Sequence, residues 1–353
     1  MEPIRVGLIG CGGISAKHVE GYSMLHDLFQ VVAVCDTNDL AARQRSAELG
    51  TTGIYADHRD LLATAQVDAV DLCLPHHLHA AIALDCFAAG VHVLVEKPIA
   101  TTLEEADRIV NAARRAGKIL MVGHNERYDP QYQEMKRLID TGLLGDVFCA
   151  RADHNQNFRR ADDHWLKTNQ QAGGGVVIGS GIHRIDLLRW LVGEIIEVYN
   201  IQITQTDRLE GEACALTTFR FANGAIGELT SNWAVRRFPW YELMWLCGTV
   251  GTVHNASASN IAGATSGELY LDSERDAATA NGYRRITLPP AASFTEELRH
   301  FGTCIRDGVE PLTSGLEGRQ TLAVVLAAYQ SAAQRQPVAV KPRELAAQQS
   351  SAR

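Results

Sequence analysis

The chain has 353 residues, 46% hydrophobic and 21% charged, which is ordinary for a globular protein and too long for one small core. A formal net charge of −8 excludes the broad basic footprint of a nucleic-acid binder. No apolar run approaches the roughly 18 residues of a membrane span, and Met1-Glu2-Pro3 enters a strand directly with no room for a signal peptide, so a cytoplasmic chain is expected.

Residues 4–9 are an apolar run of strand length that breaks into Gly10-Cys11-Gly12-Gly13, after which Ile14 opens a helical pattern. Strand, glycine turn and helix in that order start a dinucleotide-binding unit. Gly10 permits the tight turn, Gly12 lets a pyrophosphate approach the backbone, and Gly13 and Ile14 lead into the unpaired N–H groups of a new helix. Ser15 stands where the third glycine of the fingerprint falls, which predicts slightly looser helix–strand packing. A second strand, 29–35, ends at Asp36, 23 residues after Gly13, where a carboxylate can accept hydrogen bonds from an adenosine ribose. Helices over 39–49, 59–65, 78–89 and 102–116 then alternate with strands over 53–55, 67–74, 91–95 and 119–122, and Thr102-x-x-Glu105 is a capping box. Strict alternation predicts an α/β fold, a doubly wound parallel sheet forming an NAD-binding domain over 1–123. The eight cysteines are scattered without a C-x-x-C pair and read as reduced thiols, with Cys11, Cys35 and Cys73 beside the cofactor crevice. Glu96-Lys97-Pro98 follows the fifth parallel strand, where ligands of open α/β sheets bind, and a partly desolvated lysine there becomes a usable proton acceptor.

Beyond residue 123 the pattern changes. A helix over 131–140 and a strand over 146–155 lead to a polar stretch, 156–171, then Gly173-Gly174-Gly175 and a helix over 176–191. Period-two strands follow over 195–204, 213–221, 225–233, 241–247 and 268–271, with Asn223-Gly224 as a hairpin turn, before helices over 295–306 and 316–333. This predicts a second, α+β domain over 124–345 with a large, open, mostly antiparallel sheet. Few helices remain to cover that sheet, so one apolar face is expected to meet another copy in a homodimer or homotetramer. Residues 348–353 are expected to be disordered. The histidines at 76, 77 and 79 lack a carboxylate or cysteine to complete a metal set, so no metal is expected, and His76 and His79 read as lining the cofactor. Trp165, Trp233, Trp240 and Trp245 could stack on a sugar face or fill core; Trp165, in the polar stretch, is the candidate for the sugar.

Gly10-x-Gly12-Gly13, Pro75-His76-His77-Leu78-His79, Gly90-Val91-His92-Val93-Leu94-Val95-Glu96-Lys97-Pro98, the three glycines at 173–175 and Gly181-Ile182-His183-Arg184-Ile185-Asp186 together resemble the Gfo/Idh/MocA oxidoreductases across nearly the whole chain. The resemblance implies a Rossmann domain, a second domain whose open sheet packs against other subunits, and NAD(P)-dependent oxidation or reduction of a sugar or cyclitol. It makes Lys97 the catalytic lysine and His183 a catalytic or substrate-orienting histidine. Pro75, His79, Glu96 and the stretch Asn125-Glu126-Arg127 match positions near the cofactor. Where many inositol-dehydrogenase-like members carry an aspartate, four residues before the histidine, this chain has Gly179. On a helix the two positions share a face, so Gly179 is expected to open room for a bulkier substrate, such as a glycoside, or for an ordered water that relays the proton.

The expectation is an NAD-dependent dehydrogenase acting on a secondary hydroxyl of a sugar, glycoside or cyclitol. Lys97 accepts the proton with His183 assisting, while Asn125, Arg127, Asp153 and Trp165 orient the substrate. An NAD-dependent glycosidase working through transient oxidation at C3, and a non-catalytic cofactor or sugar sensor, are the alternatives.

Overall fold

A computed structural model describes residues 2–204, 209–236, 241–255, 267–290 and 292–341. Trp240, the expectation for 348–353 and the end of the second domain at 345 lie outside them. The first half runs β1 (Ile4–Ile9), α1 (Ser15–Ser23), β2 (Phe29–Cys35), α2 (Asp39–Leu49), β3 (Gly53–Tyr55), α3 (His58–Thr64), β4 (Ala69–Leu72), α4 (His79–Ala88), β5 (His92–Glu96), α5 (Leu103–Ala116) and β6 (Leu120–Gly123). These six strands are parallel in the order β3-β2-β1-β4-β5-β6, the doubly wound order of a dinucleotide-binding fold. The caps follow the residues: Asn38, Asp57 and Thr102 each accept a backbone N–H at a helix start, and Gly50 and Gly117 end α2 and α5 in the left-handed conformation.

The second half runs α6 (Pro130–Asp140), β7 (Val147–Asn155), α7 (Asn169–Ala172), α8 (Ile182–Val192), β8 (Ile195–Thr204), β9 (Glu212–Phe221), β10 (Ile226–Asn232), β11 (Tyr241–Gly248), β12 (Gly251–His254), β13 (Glu268–Ser273), β14 (Arg284–Thr287), α9 (Ser293–Asp307), α10 (Gly315–Gln334) and β15 (Val338–Ala339). Its sheet has the order β14-β13-β12-β11-β7-β10-β9-β8-β15, antiparallel except for the parallel pair β7–β10. One face packs on α8 and α10. The other presents Tyr199, Ile201, Ile203, Leu216, Ile226 and Trp245, all substantially exposed.

The two C-terminal helices tie the halves together. Leu298 and Phe301 of α9 share a core with Ile4, Tyr22, Leu25, Phe29 and Met121. Gly315 and Gly318 of α10 lie flat on Leu120 and Val122 of β6, while Ser331 further along accepts the Asn200 N–H from β8. A cleft therefore opens at the carboxyl ends of β4, β5 and β6, facing α8. No helix among the described residues is long and apolar enough to cross a membrane, and the eight cysteines are free thiols.

The expected single helix over 176–191 is instead a π-helical turn, Val177–Gly181, followed by α8. Its start is fixed by Glu212 of β9, whose carboxylate accepts the N–H groups of Gly175 (2.9 Å) and Val177 (2.7 Å) and the Tyr329 hydroxyl (3.0 Å). The approach is close enough that a Cβ on Gly175 would lie 2.6 Å from the Glu212 backbone nitrogen, so only glycine fits.

Candidate active site

The glycine turn fits a dinucleotide. Gly10 has φ +96, and a Cβ there would lie 2.7 Å from the Cys73 carbonyl carbon, whereas Gly12 and Gly13 face open space with nothing within 4 Å. Ile14 is exposed beside them. Packing around Ser15 is not loose: the residue is fully buried, donates from Oγ to the Gly12 carbonyl (2.6 Å) and accepts from Arg45 Nε (3.0 Å). The hydroxyl thus ties the turn to α2, something no third glycine could do. At the end of β2, the Asp36 carboxylate accepts the N–H groups of Cys11 (2.7 Å) and Asn38 (2.8 Å), which fixes it beside the glycine turn.

Lys97 stands at the tip of β5, half-buried, in a Lys97–Pro98 pair joined by a cis peptide bond. Its Nζ donates to the Gly179 carbonyl at 2.8 Å. Burial pushes the ammonium's proton affinity down, and the nearby carboxylates of Glu96 and Glu126 only partly restore it. His183 opens α8 across the cleft, its Nδ1 buried without a hydrogen-bond partner among the described residues. Burial, then the charges of Lys97, His124, Arg184 and His154, hold it well below the usual imidazole range, so the ring is neutral. His124, at the end of β6, lies edge-on to His183 with ring centroids 6.4 Å apart, and burial lowers its pKa to about 4. Glu126 follows, paired with Arg184 (3.0 Å) and raised by burial to about 8 against that pairing. Arg184 also binds Glu242 (2.6 Å), which pairs with His154 Nδ1 (3.1 Å).

Several expected residues point elsewhere. Arg127 cannot orient a substrate: it is 2% exposed, binds Asp186 through Nε (2.7 Å) and Nη2 (2.8 Å), and also reaches Glu317 and the Leu312 carbonyl. Asp153 pairs across β7 with Thr230 and Leu243, in the row of the exposed Leu216, and contacts Arg151 at 3.3 Å; it faces the open side of the sheet. His154, one residue on, faces α8 and the cleft, and sequence reasoning missed it. His79 is fully buried with its two ring nitrogens facing the carbonyls of Pro98 (2.7 Å) and Leu74 (2.9 Å), so it staples β4 to the turn after β5 rather than touching cofactor. The Glu96 carboxylate likewise turns back into the core, to His18. Pro75 precedes a short 3-10 turn that holds His76, whose Nδ1 bonds the Ala172 carbonyl (2.7 Å). Trp165 packs edge-on against that ring at 4.5 Å between centroids and forms a half-buried aromatic wall there. The Asn125 amide donates to Ser293 Oγ (3.1 Å).

The room expected beside Gly179 is filled. A Cβ there would lie 2.7 Å from Cζ2 of Trp233, with the ring's outer edge closer still. Trp233 is 2% exposed, stacks on Phe158 at 4.1 Å and donates from Nε1 to Ser180 Oγ (3.0 Å). It is core, and the glycine admits the indole rather than a larger substrate.

The family model described as an oxidoreductase family with an NAD-binding Rossmann fold matches residues 4–124, and the GFO/IDH/MocA C-terminal domain matches 132–254. The chain is 26% identical to a myo-inositol 2-dehydrogenase of Thermotoga maritima over 342 residues, 95% of this chain and 98% of that protein. It is 29% identical to a D-apiose dehydrogenase of Paraburkholderia graminis, over 98% of this chain and 92% of that one. The structure of a levoglucosan dehydrogenase in complex with NADH shares the fold, with a TM-score of 0.89 at 24% identity, covering 97% of this chain and all of that one. The chain belongs to the Gfo/Idh/MocA oxidoreductases, NAD-binding enzymes that act on CH–OH groups.

Proposed function

We propose that the enzyme oxidises a secondary hydroxyl of a sugar, glycoside or cyclitol, with Lys97 as the proton acceptor. The carrying observation is Lys97 itself: a desolvated amine at the tip of β5, fixed by the Gly179 carbonyl and facing a neutral His183 across the cleft. Gly10, Gly12, Gly13, Ile14 and Asp36 would hold NAD, which when bound takes the hydride from the carbinol carbon. Donation to Gly179 occupies one Nζ hydrogen and leaves the lone pair of the neutral amine for the substrate hydroxyl. His183, kept uncharged by burial, steadies that hydroxyl without repelling the lysine once it is protonated. Glu126, paired with Arg184, and His154, paired with Glu242, are the polar groups we place beside neighbouring hydroxyls, with the Trp165 wall next to them. The names of the relatives, an inositol and an apiose dehydrogenase, support a polyol substrate.

The open face of the second sheet supports a homo-oligomer, a dimer or tetramer, because Tyr199, Ile201, Ile203, Leu216, Ile226 and Trp245 are exposed on it, and apolar side chains gathered on one face mark a partner surface. The test of the reaction is a panel of cyclitols, aldoses and glycosides incubated with NAD⁺ and followed by NADH absorbance. Accumulation of NADH with at least one polyol supports a dehydrogenase. Aglycone release without NADH would indicate the glycosidase chemistry instead, and no turnover on any polyol would point to a sensor.

A further inference from the structure

Behind Lys97, in the core of the Rossmann half, lies a cluster of ionisable groups that the proposed reaction does not use. His18 sits on α1, on the buried face formed with Ser15, Val19 and Tyr22, and is fully buried. Its Nδ1 lies 2.7 Å from Asp71 Oδ2 of β4, and its Nε2 lies 3.1 Å from Glu96 Oε1 of β5. Asp71 Oδ2 also accepts the Tyr22 hydroxyl (3.0 Å), and Cys73 Sγ is 3.7 Å from Asp71 Oδ1. The other Glu96 oxygen, Oε2, accepts the backbone N–H of Lys97 (3.1 Å). From α9, the Phe294 ring covers His18 at 5.4 Å, and Glu297 is fully buried with neither carboxyl oxygen hydrogen-bonded among the described residues.

An ionised carboxylate only accepts hydrogen bonds, so an imidazole with a carboxylate oxygen against each nitrogen needs a hydrogen on both. With both carboxylates ionised, that ring is an imidazolium. Removing it would leave two buried anions facing each other across its place, which favours one of them taking up a proton. His18, Asp71 and Cys73 also hold their ligand atoms within 4.8 Å of one another, as a metal set would. Each of those groups, however, is already engaged with another in the cluster, and both His18 nitrogens are taken.

We propose that His18 is a positioning residue, a permanent imidazolium clamped between Asp71 and Glu96 that keeps Glu96 ionised behind Lys97 and thereby sets how readily Lys97 holds a proton. The pKa directions agree. His18 is raised well above the imidazole range because the charge of Asp71 overrides burial, and Glu96 is lowered because His18 does the same for it. Burial, reinforced by Glu96 and Asp71, pushes Glu297 far up, so it is the neutral acid of the cluster. Lys97 itself is faced by Glu96, by Glu126, by the neutral rings of His76, His124 and His183, and by His79, whose pKa burial lowers against the pull of two carbonyls. Burial raises Glu126 to about 8, so Glu96 is the carboxylate that steadies the Lys97 charge at neutral pH, and its ionisation depends on His18.

The inference rests on Lys97 being the proton acceptor, and the experiment separates the two. Nitrogen-15 NMR of the histidine rings, with His18 assigned by its loss in His18→Gln, should show both His18 nitrogens protonated from pH 6 to about 9. Asp71→Asn, which keeps the histidine but removes one carboxylate, should bring His18 into the observable titration range even if His18→Gln folds poorly. In kcat against pH, the acid limb of His18→Gln should move down by about one unit or more, because a protonated Glu96 no longer steadies the Lys97 ammonium. A neutral His18 at pH 7, one equivalent of bound zinc in the purified protein, or an unmoved limb in a variant whose Lys97→Ala counterpart is inactive would overturn the inference while leaving Lys97 its role. Near-normal kcat in Lys97→Ala would overturn both.

Discussion

Replacing Gly179 with alanine sets two effects of opposite sign against each other. Alanine inside a helical segment gains up to about 1 kcal/mol over glycine. The new methyl, however, would start 2.7 Å from Trp233 Cζ2, where carbon atoms normally sit about 3.5–4.0 Å apart. The ring's outer edge is nearer still, so either the indole or the π-helical turn must retreat by more than about 1 Å. The indole is trapped between Phe158 and Ser180 with 2% exposure, so its movement costs about 1–3 kcal/mol, as overpacking of a filled core does. The clash wins, and Gly179→Ala should lose about 1–2 kcal/mol in urea unfolding followed by circular dichroism. A shift of the turn also carries the Gly179 carbonyl away from Lys97 Nζ, so kcat should fall while NAD affinity holds. Trp233→Leu removes the obstacle, and the losses of the two single variants should be non-additive by about 1 kcal/mol in the double variant. An alanine variant more stable than the parent would refute the argument, since helix propensity alone would then be governing.

Three further outcomes follow from the same contacts. Asp36 should repel a 2′-phosphate, giving NAD at least a ~10-fold preference over NADP, equivalent to ~1.4 kcal/mol; comparable kcat/KM for the two cofactors would contradict it. Arg127→Ala should cost about 3–5 kcal/mol of stability by stranding Asp186 in the core, with KM for substrate unaffected in whatever fraction folds; normal stability with a raised KM would restore the residue to the substrate site. Ile201→Asp combined with Leu216→Lys should convert an oligomer into monomers in sedimentation velocity, and a parent protein already monomeric at micromolar concentration would remove the basis for that surface.

The Rossmann half was legible because each of its signals is local. A β-branched run, a glycine turn and a capped helix name their own positions, and Asp36 and Lys97 follow as the residues at strand ends. The second sheet was legible as a class, since period-two runs announce strands, but not in its faces. Asp153 and His154 differ by one residue, and in a strand one residue is the difference between the open face and the cleft. Arg127 and His79 were read as ligand-facing because polar residues in motifs invite it; what commits them is Asp186 and Glu317 in one case and the carbonyls of Leu74 and Pro98 in the other, partners distant in sequence. Gly179 was misread for the same reason, because Trp233 is brought to it only by the packing of β10 on the turn before α8. His18 did leave a signal. A histidine in register with Ser15, Val19 and Tyr22 on the inward stripe of α1 is a buried polar group in need of partners.

The most direct test of the account is Lys97→Ala, measured for NAD affinity and for single-turnover hydride transfer with whichever polyol the panel identifies. With Lys97 in its proposed place at the reacting hydroxyl and the glycine turn elsewhere, NAD should bind within a few-fold of normal while the transfer rate drops by about 10² or more, with the largest loss at low pH. A variant that transfers hydride at near-normal rate across the pH range would contradict the account.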